Sequence, residues 1–307
     1  MPKISIITPT YDRREMIGRA IESVLAQTWS DWEMIIVDDC PERPAEEAVR
    51  RFTDPRITYI KHEKNSGGAA ARNTAMARAK GEYFSFIDDD DEWYPDALET
   101  LHNSLQGTPP DVGFCYAAIE NRYPDGRVEV THVPQGVADY HERALTKFHG
   151  FIGQTLLVKR AVYEDVGGWD PAFPSHQEIE WVIRITKKYK ALAIDRLVVR
   201  FFAGSDHPRI GNNLPKRIAG RMMLLDRYQD EFAALPAVYA KHLLLVALWY
   251  RALGDFTNAR ETMRRVLRVR PSLRHLVHYV LLCFNGVPYK ALNALGVLGG
   301  KAEWDRE

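Results

Sequence analysis

The sequence predicts an α/β fold in which a mostly parallel sheet is flanked by helices, followed by a region that is helical to its end. Two patterns predict this fold. Through about the first hundred residues, short β-rich runs alternate with segments of helical periodicity, which is the arrangement of βαβ units. From Lys216 onward the apolar residues recur at helical spacing instead. A chain of 307 residues has room for two domains of ordinary size.

Four β-rich runs and three helical segments account for the N-terminal part. The predicted strands are residues 4–8, 33–37, 57–60 and 83–87, and the predicted helices between them are residues 16–26, 45–52 and 68–80. Pro9 ends the first strand, and the pair Asp38-Asp39 ends the second. Weaker patterns predict short strands at residues 113–117, 155–158 and 192–199. Ligands of such sheets bind outside the carboxyl ends of the strands, so polar residues there are the candidates for a site.

The composition excludes several classes of protein. Lysine plus arginine (41) balances aspartate plus glutamate (41), so no overall charge favours nucleic acid as a partner. The cysteines, Cys40, Cys115 and Cys283, lie too far apart for metal-site or disulfide spacing, which fits a reducing compartment. The first residues lack the pattern of a signal peptide, and the seven-residue apolar run 243–249 is too short to span a membrane. We therefore expect a cytoplasmic protein.

Five consecutive acidic residues, Asp88 to Glu92, directly follow the predicted strand at 83–87. Adjacent carboxylates repel one another, so a fold that holds them together needs something to offset the repulsion. A hard divalent cation does so, because it prefers oxygen ligands from carboxylates and phosphates. The alternative is a solvated acidic turn that caps a helix beginning at Pro95. The position at the carboxyl end of a strand favours a metal–phosphate site.

Two further strand ends carry side chains suited to a nucleotide. Asp38 and Asp39 can accept hydrogen bonds from a nucleobase imide or a ribose hydroxyl, with a turn residue or helix cap as the alternative. Residues 9–13 (PTYDR) follow the first strand and offer the ring of Tyr11 for stacking and the cation of Arg13 for phosphate. Both positions therefore favour a nucleotide ligand.

A glycine-containing segment, residues 65–73 (NSGGAAARN), precedes and begins the third predicted helix. Its glycines and alanines let the backbone approach a ligand at a helix N-terminus, and Arg72 can reach a diphosphate. The Gly-Lys-Ser/Thr ending of a Walker loop is absent from it. Each of these four signals is weak alone, whereas four near successive strand ends indicate one site.

In their order and spacing these segments resemble the family 2 glycosyltransferases of the GT-A fold. The resemblance covers about residues 1–210, and it is carried by residues 5–11, 37–39, 65–73, 81–91, 167–170 and 177–184. It implies a GT-A domain at 1–212, with a nucleotide-sugar half at about 1–110 and an acceptor half at about 111–212. The helical region 213–307 lies outside it. Within that region, Gly254 to Pro271 matches the second half of a tetratricopeptide unit through Ala259, Met263, Val266 and Leu267, which predicts one helical hairpin.

The resemblance also implies roles for individual residues. Asp90 would coordinate the metal by its match to the family's Asp-x-Asp motif, with Asp88 and Asp89 facing the ribose and the metal's waters; Asp39 would hold the base. The implied donor-binding residues are Pro9, Thr10, Tyr11, Arg13, Asp38, Asp39, Gly67, Arg72, Asn73, Asp88 and Asp89. The implied metal ligands are Asp90, Asp88 and His207, the last with a solvated loop histidine as its alternative. Mn²⁺ or Mg²⁺ is the expected cofactor.

The catalytic base that the resemblance implies is Glu178. When the segment is aligned on Arg184, the family's Glu-Asp pair falls on Gln177-Glu178, so a glutamate stands where the family has an aspartate. Glu180 is the fallback. On a strand Glu178 and Glu180 would share a face, whereas on a helix they would diverge by roughly 200°. The alternative is an amphipathic helix with a solvated acidic start. Trp93, Trp169 and Trp181 are candidates for stacking on a sugar or for burial in the core.

The expected function is therefore inverting transfer of a sugar from a nucleotide-sugar, with UDP-sugar favoured, to a hydroxyl of a glycan or lipid-linked acceptor in bacterial-type surface polysaccharide synthesis. A catalytically silent nucleotide-sugar-binding or scaffold protein is one alternative. A sugar-phosphate nucleotidyltransferase is another, although a basic glycine-rich loop after the first strand is missing. Residues 251–290 contain eight basic residues and only two acidic ones. The helices there could therefore contact the inner face of a membrane, pair two chains or be solvated.

Overall fold

The chain forms two compact units in a computed structural model, which describes residues 1–148, 150–203 and 213–284. The first unit comprises Met1–Ala144, His149–Ala172 and Gln177–Pro208, and the second comprises Leu145–Phe148, Phe173–His176 and Arg209–Glu307. The division at residue 212 that the sequence suggested thus omits two short segments, each of four residues, that the second unit takes from the N-terminal part.

The described residues form strands and helices as far as β10 and helices alone thereafter. The strands are β1 (Ile4–Thr10), β2 (Trp32–Asp38), β3 (Ile57–Lys61), β4 (Tyr83–Phe86), β5 (Glu92–Trp93), β6 (Val112–Arg122), β7 (Val128–Thr131), β8 (Gly136–Ala138), β9 (Leu157–Lys159) and β10 (Lys190–Phe202). The helices are α1 (Ile17–Leu25), α2 (Glu46–Val49), α3 (Gly68–Arg78), α4 (Ala97–Leu105), α5 (His141–Thr146), α6 (Arg160–Val166), α7 (Gln177–Thr186), α8 (Leu214–Arg227), α9 (Gln229–Ala233), α10 (Pro236–Ala252), α11 (Phe256–Val269) and α12 (Leu273–Cys283). Not one of these helices has the length and apolar character needed to cross a bilayer.

The predicted α/β class with a mostly parallel central sheet is confirmed. Its order is β3-β2-β1-β4-β9-β6-β10-β5, with β7 on β6 and β8 on β10. The strands β3, β2, β1 and β4 are parallel, as the sequence predicts. The short strand β9 then runs antiparallel to both β4 and β6. The long strands β6 and β10 also pair in parallel, so antiparallel pairing is confined to the short strands β5, β7, β8 and β9.

The strands β1, β2 and β4 are mostly buried because both of their faces are covered, whereas β3 at the edge of the sheet is partly exposed. In β1 every residue except Pro9 is buried. On one side α1 contributes a buried stripe at helical spacing, formed by Ile17, Ala20, Ile21 and Val24. The register places Ile7 of β1 beside Ile35 of β2 and Phe86 of β4, so the carboxyl ends of these three strands lie together. The polar residues after them are thereby brought to one edge.

The second unit contains the predicted helical hairpin, formed by α10 and α11. Gly254 stands between the two helices at a φ of 77°, a conformation that favours glycine. The Asp255 side chain then caps α11 by accepting a hydrogen bond of 3.0 Å from the Asn258 amide. Ala259, Met263 and Val266 are the buried apolar residues that the repeat-like spacing singled out.

Gly81, just before β4, packs closely against β1, so its substitution tests the packing between these two strands. A Cβ atom at this position would lie 2.6 Å from the Ser5 amide nitrogen of β1, and the Gly81 amide donates to Ser5 Oγ at 2.8 Å. We expect Gly81→Ala to lower the free energy of unfolding by about 2 kcal/mol, because the backbone of a central strand cannot move aside. The matched control is Gly18→Ala in α1, where the nearest atom is 3.9 Å away. It is expected to raise stability by about 0.5–1 kcal/mol. Equal urea midpoints for the two variants would contradict this packing.

Candidate active site

The acidic run begins two residues after β4 ends, and most of it is buried. Asp89, Asp90 and Asp91 are almost fully enclosed, whereas Asp88 is partly exposed. Burial of so many neighbouring carboxylates is costly unless cations or hydrogen-bond donors surround them. The structure supplies these partners from elements that are distant in the sequence, and so the run is not the solvated turn that was its alternative interpretation.

Residues after β1 hold Asp89. The Thr10 hydroxyl donates to Asp89 Oδ2 at 2.6 Å, and Arg13 Nη1 donates to Asp89 Oδ1 at 2.8 Å. The same Arg13 nitrogen lies 2.8 Å from Asp90 Oδ2. Burial raises the pKa of Asp89 to about 6, against the lowering effect of Arg13. In this arrangement the side chains of Thr10 and Arg13, both predicted as donor contacts, bind the acidic run itself.

Gln154 holds the other side of the run. It lies in the 3₁₀ turn Gly153–Thr155, and its Nε2 donates to Asp88 Oδ2 at 2.7 Å and to Asp91 Oδ2 at 2.8 Å. The Phe202 amide at the end of β10 donates to Asp91 Oδ1 at 3.0 Å. Sequence reasoning missed Gln154, because a neutral amide in an irregular stretch carries no motif. A bridging donor between two carboxylates lowers their mutual repulsion.

Three carboxylates converge in a way that suits a divalent cation. Oxygens of Asp88, Asp90 and Asp91 lie within 4.8 Å of one another. The buried Oε1 of Gln154 has no hydrogen-bond partner among the described residues, so a neutral oxygen is present beside the carboxylates. Such an oxygen set fits Mn²⁺ or Mg²⁺. Asp91 was not among the predicted ligands, and the predicted ligand His207 lies outside the described residues.

Arg72 connects this group to the helix α3. Gly67, at a φ of 89°, precedes the helix, and Arg72 on its second turn donates to Asp88 Oδ1 at 2.7 Å. The guanidinium carbon of Arg72 lies 4.7 Å from the centre of the Trp169 ring. A cation is thus fixed beside the partly exposed carboxylate, as a diphosphate site requires.

Glu178 lies within electrostatic range of Arg72 and Asp88. A Cβ atom added to Gly153, the residue before Gln154, would lie 3.3 Å from Glu178 Oε1. Burial raises the pKa of Glu178, Arg72 lowers it, and Asp88 raises it. The structure therefore brings the carboxylate that was predicted as the base to the same place as the acidic run.

The fallback base, Glu180, is directed elsewhere. The segment is the helix α7, so Glu178 and Glu180 diverge as expected for a helix. Glu180 is fully buried, and its Oε1 accepts a hydrogen bond of 2.9 Å from Arg184 Nε one turn later. The acidic start of α7 is therefore only partly solvated, and its two carboxylates have separate surroundings.

The side chains of Asp38 and Asp39 both accept hydrogen bonds from backbone amides of the first unit. Asp38 accepts hydrogen bonds from the amides of Cys40 and Ala45 and from the Tyr59 hydroxyl, which matches the turn residue of the alternative interpretation. Asp39 accepts from the Ser66 and Gly67 amides and from His62. Asp39 thus fixes the glycine-containing loop, with Gly67 turned toward the carboxylate. Tyr11, by contrast, is 49% exposed and can stack on a ligand.

Asn73 and the three tryptophans are structural in this fold. The Asn73 amide donates to the Trp169 carbonyl at 2.7 Å and accepts from the Trp169 amide at 2.9 Å, so both of its polar ends are used. This clamp differs from the predicted contact between Asn73 and the donor. Trp169 and Trp181 stack in the core with ring centres 5.3 Å apart, and Trp93 is buried as well. Burial, not sugar stacking, is the outcome for all three rings.

The fold is shared with known glycosyltransferases. The chain superposes on the mannosyltransferase PcManGT from Pyrobaculum calidifontis, solved in complex with GDP-Man and Mn²⁺, with a TM-score of 0.57. The two share 19% sequence identity, and the similarity covers 100% of this chain and 88% of PcManGT. The fold with its acidic site is thus the GT-A fold that the sequence suggested.

The family follows from sequence. Residues 5–167, more than half of the chain, match glycosyl transferase family 2, and the chain belongs to that family. Escherichia coli K12 WcaA, provisionally named a colanic acid biosynthesis glycosyl transferase, is 52% identical over 102 residues, 33% of this chain and 37% of WcaA. Escherichia coli WfgD, a UDP-Glc:alpha-D-GlcNAc-diphosphoundecaprenol beta-1,3-glucosyltransferase, is 40% identical over 96 residues, 31% of this chain and 38% of WfgD. The matches thus span less than two fifths of each relative.

The convergence of carboxylates predicts a selective loss of metal binding. We expect Asp90→Asn and Asp91→Asn each to weaken Mn²⁺ binding at least about tenfold, because each removes one charged ligand. Asp89→Asn is expected to change it less than about threefold, since Asp89 is committed to Thr10 and Arg13. The matched control is Asp125→Asn on the exposed β6–β7 turn. Calorimetric titration of Mn²⁺ measures this, and equal effects of the three buried substitutions would contradict the assignment.

Proposed function

We propose that the chain is an inverting, metal-dependent glycosyltransferase that moves a sugar from a nucleotide-sugar, most favourably a UDP-sugar, to a hydroxyl of a glycan or lipid-linked acceptor. The observation that carries the proposal is that Glu178 interacts electrostatically with Arg72, and Arg72 donates a hydrogen bond to Asp88 of the acidic run. The names of WcaA and WfgD support surface polysaccharide synthesis, and that of WfgD supports UDP-sugar and a diphosphate-linked acceptor.

The metal would be held by Asp88, Asp90 and Asp91, with Mn²⁺ or Mg²⁺ as the ion. The Mn²⁺ complex of PcManGT supports this choice. When bound, such an ion neutralises the negative charge that develops on the diphosphate leaving group. Arg72 contributes a fixed cation in the same region, and Arg13 compensates the charge of Asp89 and Asp90. His207 stays a predicted further ligand.

Glu178 is proposed as the general base. Its carboxylate accepts the proton of the acceptor hydroxyl while that oxygen forms a bond to the anomeric carbon. The bond from the anomeric carbon to the diphosphate oxygen breaks, and the nucleoside diphosphate leaves with the electron pair. A single displacement inverts the configuration of that carbon. The raised pKa of Glu178 makes its carboxylate a better proton acceptor, and turnover should fall as the pH drops through that raised value.

The nucleotide is proposed to lie over the loops that follow β1 and β2. Tyr11 is exposed enough for its ring to stack on a base, and Asp39 at the end of β2 is the proposed contact to the base imide. Pro9, Thr10 and Gly67 would shape the walls of this site through their backbone. A cytoplasmic location, with peripheral membrane contact or pairing of two chains through the C-terminal helices, completes the proposal.

The role of Glu178 can be tested without knowledge of the acceptor. UDP release is measured from a panel of UDP-sugars with Mn²⁺, since slow hydrolysis uses water in place of the acceptor. We expect Glu178→Gln to lower turnover about 100-fold or more, because general-base catalysis contributes that much. UDP affinity is expected to stay within about threefold, because Gln keeps the size and polarity of the side chain. Glu164→Gln on the exposed face of α6 is the matched control and should keep full activity.

The other outcomes assign the alternatives. Full turnover by Glu178→Gln would move the base to another residue. Metal-dependent UDP binding with no turnover of any donor, in the presence of a panel of acceptors, would favour the silent binding or scaffold protein. Release of pyrophosphate from a nucleoside triphosphate and a sugar phosphate would instead favour the nucleotidyltransferase.

A further inference from the structure

The helix α12 in the second unit has two apolar faces, although one is sufficient for packing. Its inner face, with His278, Leu281 and Leu282, is buried. Its outer face carries a second apolar stripe, the residues of which are 37–78% exposed: Leu273, Leu276, Val277, Val280 and Phe284. These residues follow the spacing i, i+3, i+4, i+7 and i+11, so they form a continuous line along one side of the helix. We refer to these five residues as the outer stripe.

The surroundings of the outer stripe are strongly cationic. Residues 256–284 contain six arginines (Arg260, Arg264, Arg265, Arg268, Arg270 and Arg274), and Glu261 is the single acid in that stretch of sequence. Arg268, Arg270 and Arg274 are exposed around the junction of α11 and α12. His275 Nδ1 donates to the Arg270 carbonyl at 2.7 Å, which holds the end of α11 against the first turn of α12. Charge and apolar surface therefore occur together.

We propose that the outer stripe and its flanking arginines bind the surface of an anionic phospholipid bilayer, with α12 lying in the plane of the interface. An apolar line flanked by arginines matches the two components of such a surface, acyl chains below and phosphate headgroups above. The charge favours lipid over a second copy of the chain, because self-pairing through this face would bring cation against cation. The proposal concerns binding alone and does not depend on the proposed catalytic function.

The experiment is cosedimentation of the full chain with vesicles. Vesicles of phosphatidylcholine alone are compared with vesicles of equal parts phosphatidylcholine and phosphatidylglycerol, at low and at high salt. We expect binding to the anionic vesicles to be at least about tenfold stronger at low salt and to weaken as salt rises, because the arginine contribution is screened. Circular dichroism of each variant verifies that its helices are retained.

Two pairs of variants separate the apolar and the cationic contributions. Leu276→Glu with Val280→Glu is expected to lower vesicle binding at least about tenfold, because charge replaces the apolar line. Its matched control is Val128→Glu with Val130→Glu in β7, where the side chains are 53% and 42% exposed and the charge change is identical. Arg268→Gln with Arg270→Gln is expected to weaken binding to anionic vesicles about tenfold. Its matched control is Arg50→Gln with Arg51→Gln, which are also exposed.

Several results would overturn the proposal. Equal binding to both kinds of vesicle, or full binding by Leu276→Glu with Val280→Glu, would remove the basis for it. A concentration-dependent dimer that this double variant abolishes, with no vesicle binding by the wild type, would assign the outer stripe to a second copy of the chain. Binding by a chain shortened to Phe284, but not by the full chain, would mean that residues 285–307 occupy the stripe.

Discussion

Repulsion among the adjacent carboxylates after β4 is the constraint on which the arrangement of the first unit depends. Asp89, Asp90 and Asp91 are buried within three consecutive positions, so each must be met by a donor or a cation. Their partners come from the loop after β1, the 3₁₀ turn before β9 and the end of β10, and α3 supplies Arg72 to the neighbouring Asp88. Removing one partner of a buried ion pair costs about 3–5 kcal/mol. The strand order places these elements side by side. The stability of the fold and the geometry of the site therefore depend on the same contacts.

The residues of the acidic run have different roles according to their position. Asp89 turns toward Thr10 and Arg13 and ties the run to β1, whereas Asp88, Asp90 and Asp91 converge on one another. Neighbouring side chains cannot all point the same way, so one residue of the run anchors it and the others remain for a ligand. Arg72 then joins Asp88 to the surroundings of Glu178. The proposed base and the proposed metal ligands are thus organised by the same cation.

Local sequence signals predicted the parts of this site that stand directly after strands. The point where the apolar run of β1, β2 or β4 stops shows where the strand ends. The acidic residues and Arg13 of the site are found at these points. Gln154 could not be predicted, because its importance comes only from contact with carboxylates more than sixty positions away. Asp38 was assigned to the donor because a polar residue at the end of a strand looks the same whether it meets a ligand or the backbone. Asn73, in α3, was assigned through the family resemblance, which does not show that its amide binds Trp169. The strand predicted at residues 155–158 overlaps β9, but its antiparallel direction was not predicted, because three residues leave no pattern of pairing direction.

The central claim is that the acidic run is held together to bind a cation that in turn binds a nucleoside diphosphate. Calorimetric titration of UDP into the full chain, with and without Mn²⁺, tests this most directly. The account predicts that UDP binds in the presence of Mn²⁺ and at least about tenfold more weakly in its absence, because the carboxylates alone repel the diphosphate. UDP affinity that is the same with and without Mn²⁺, or no binding in either case, would contradict it.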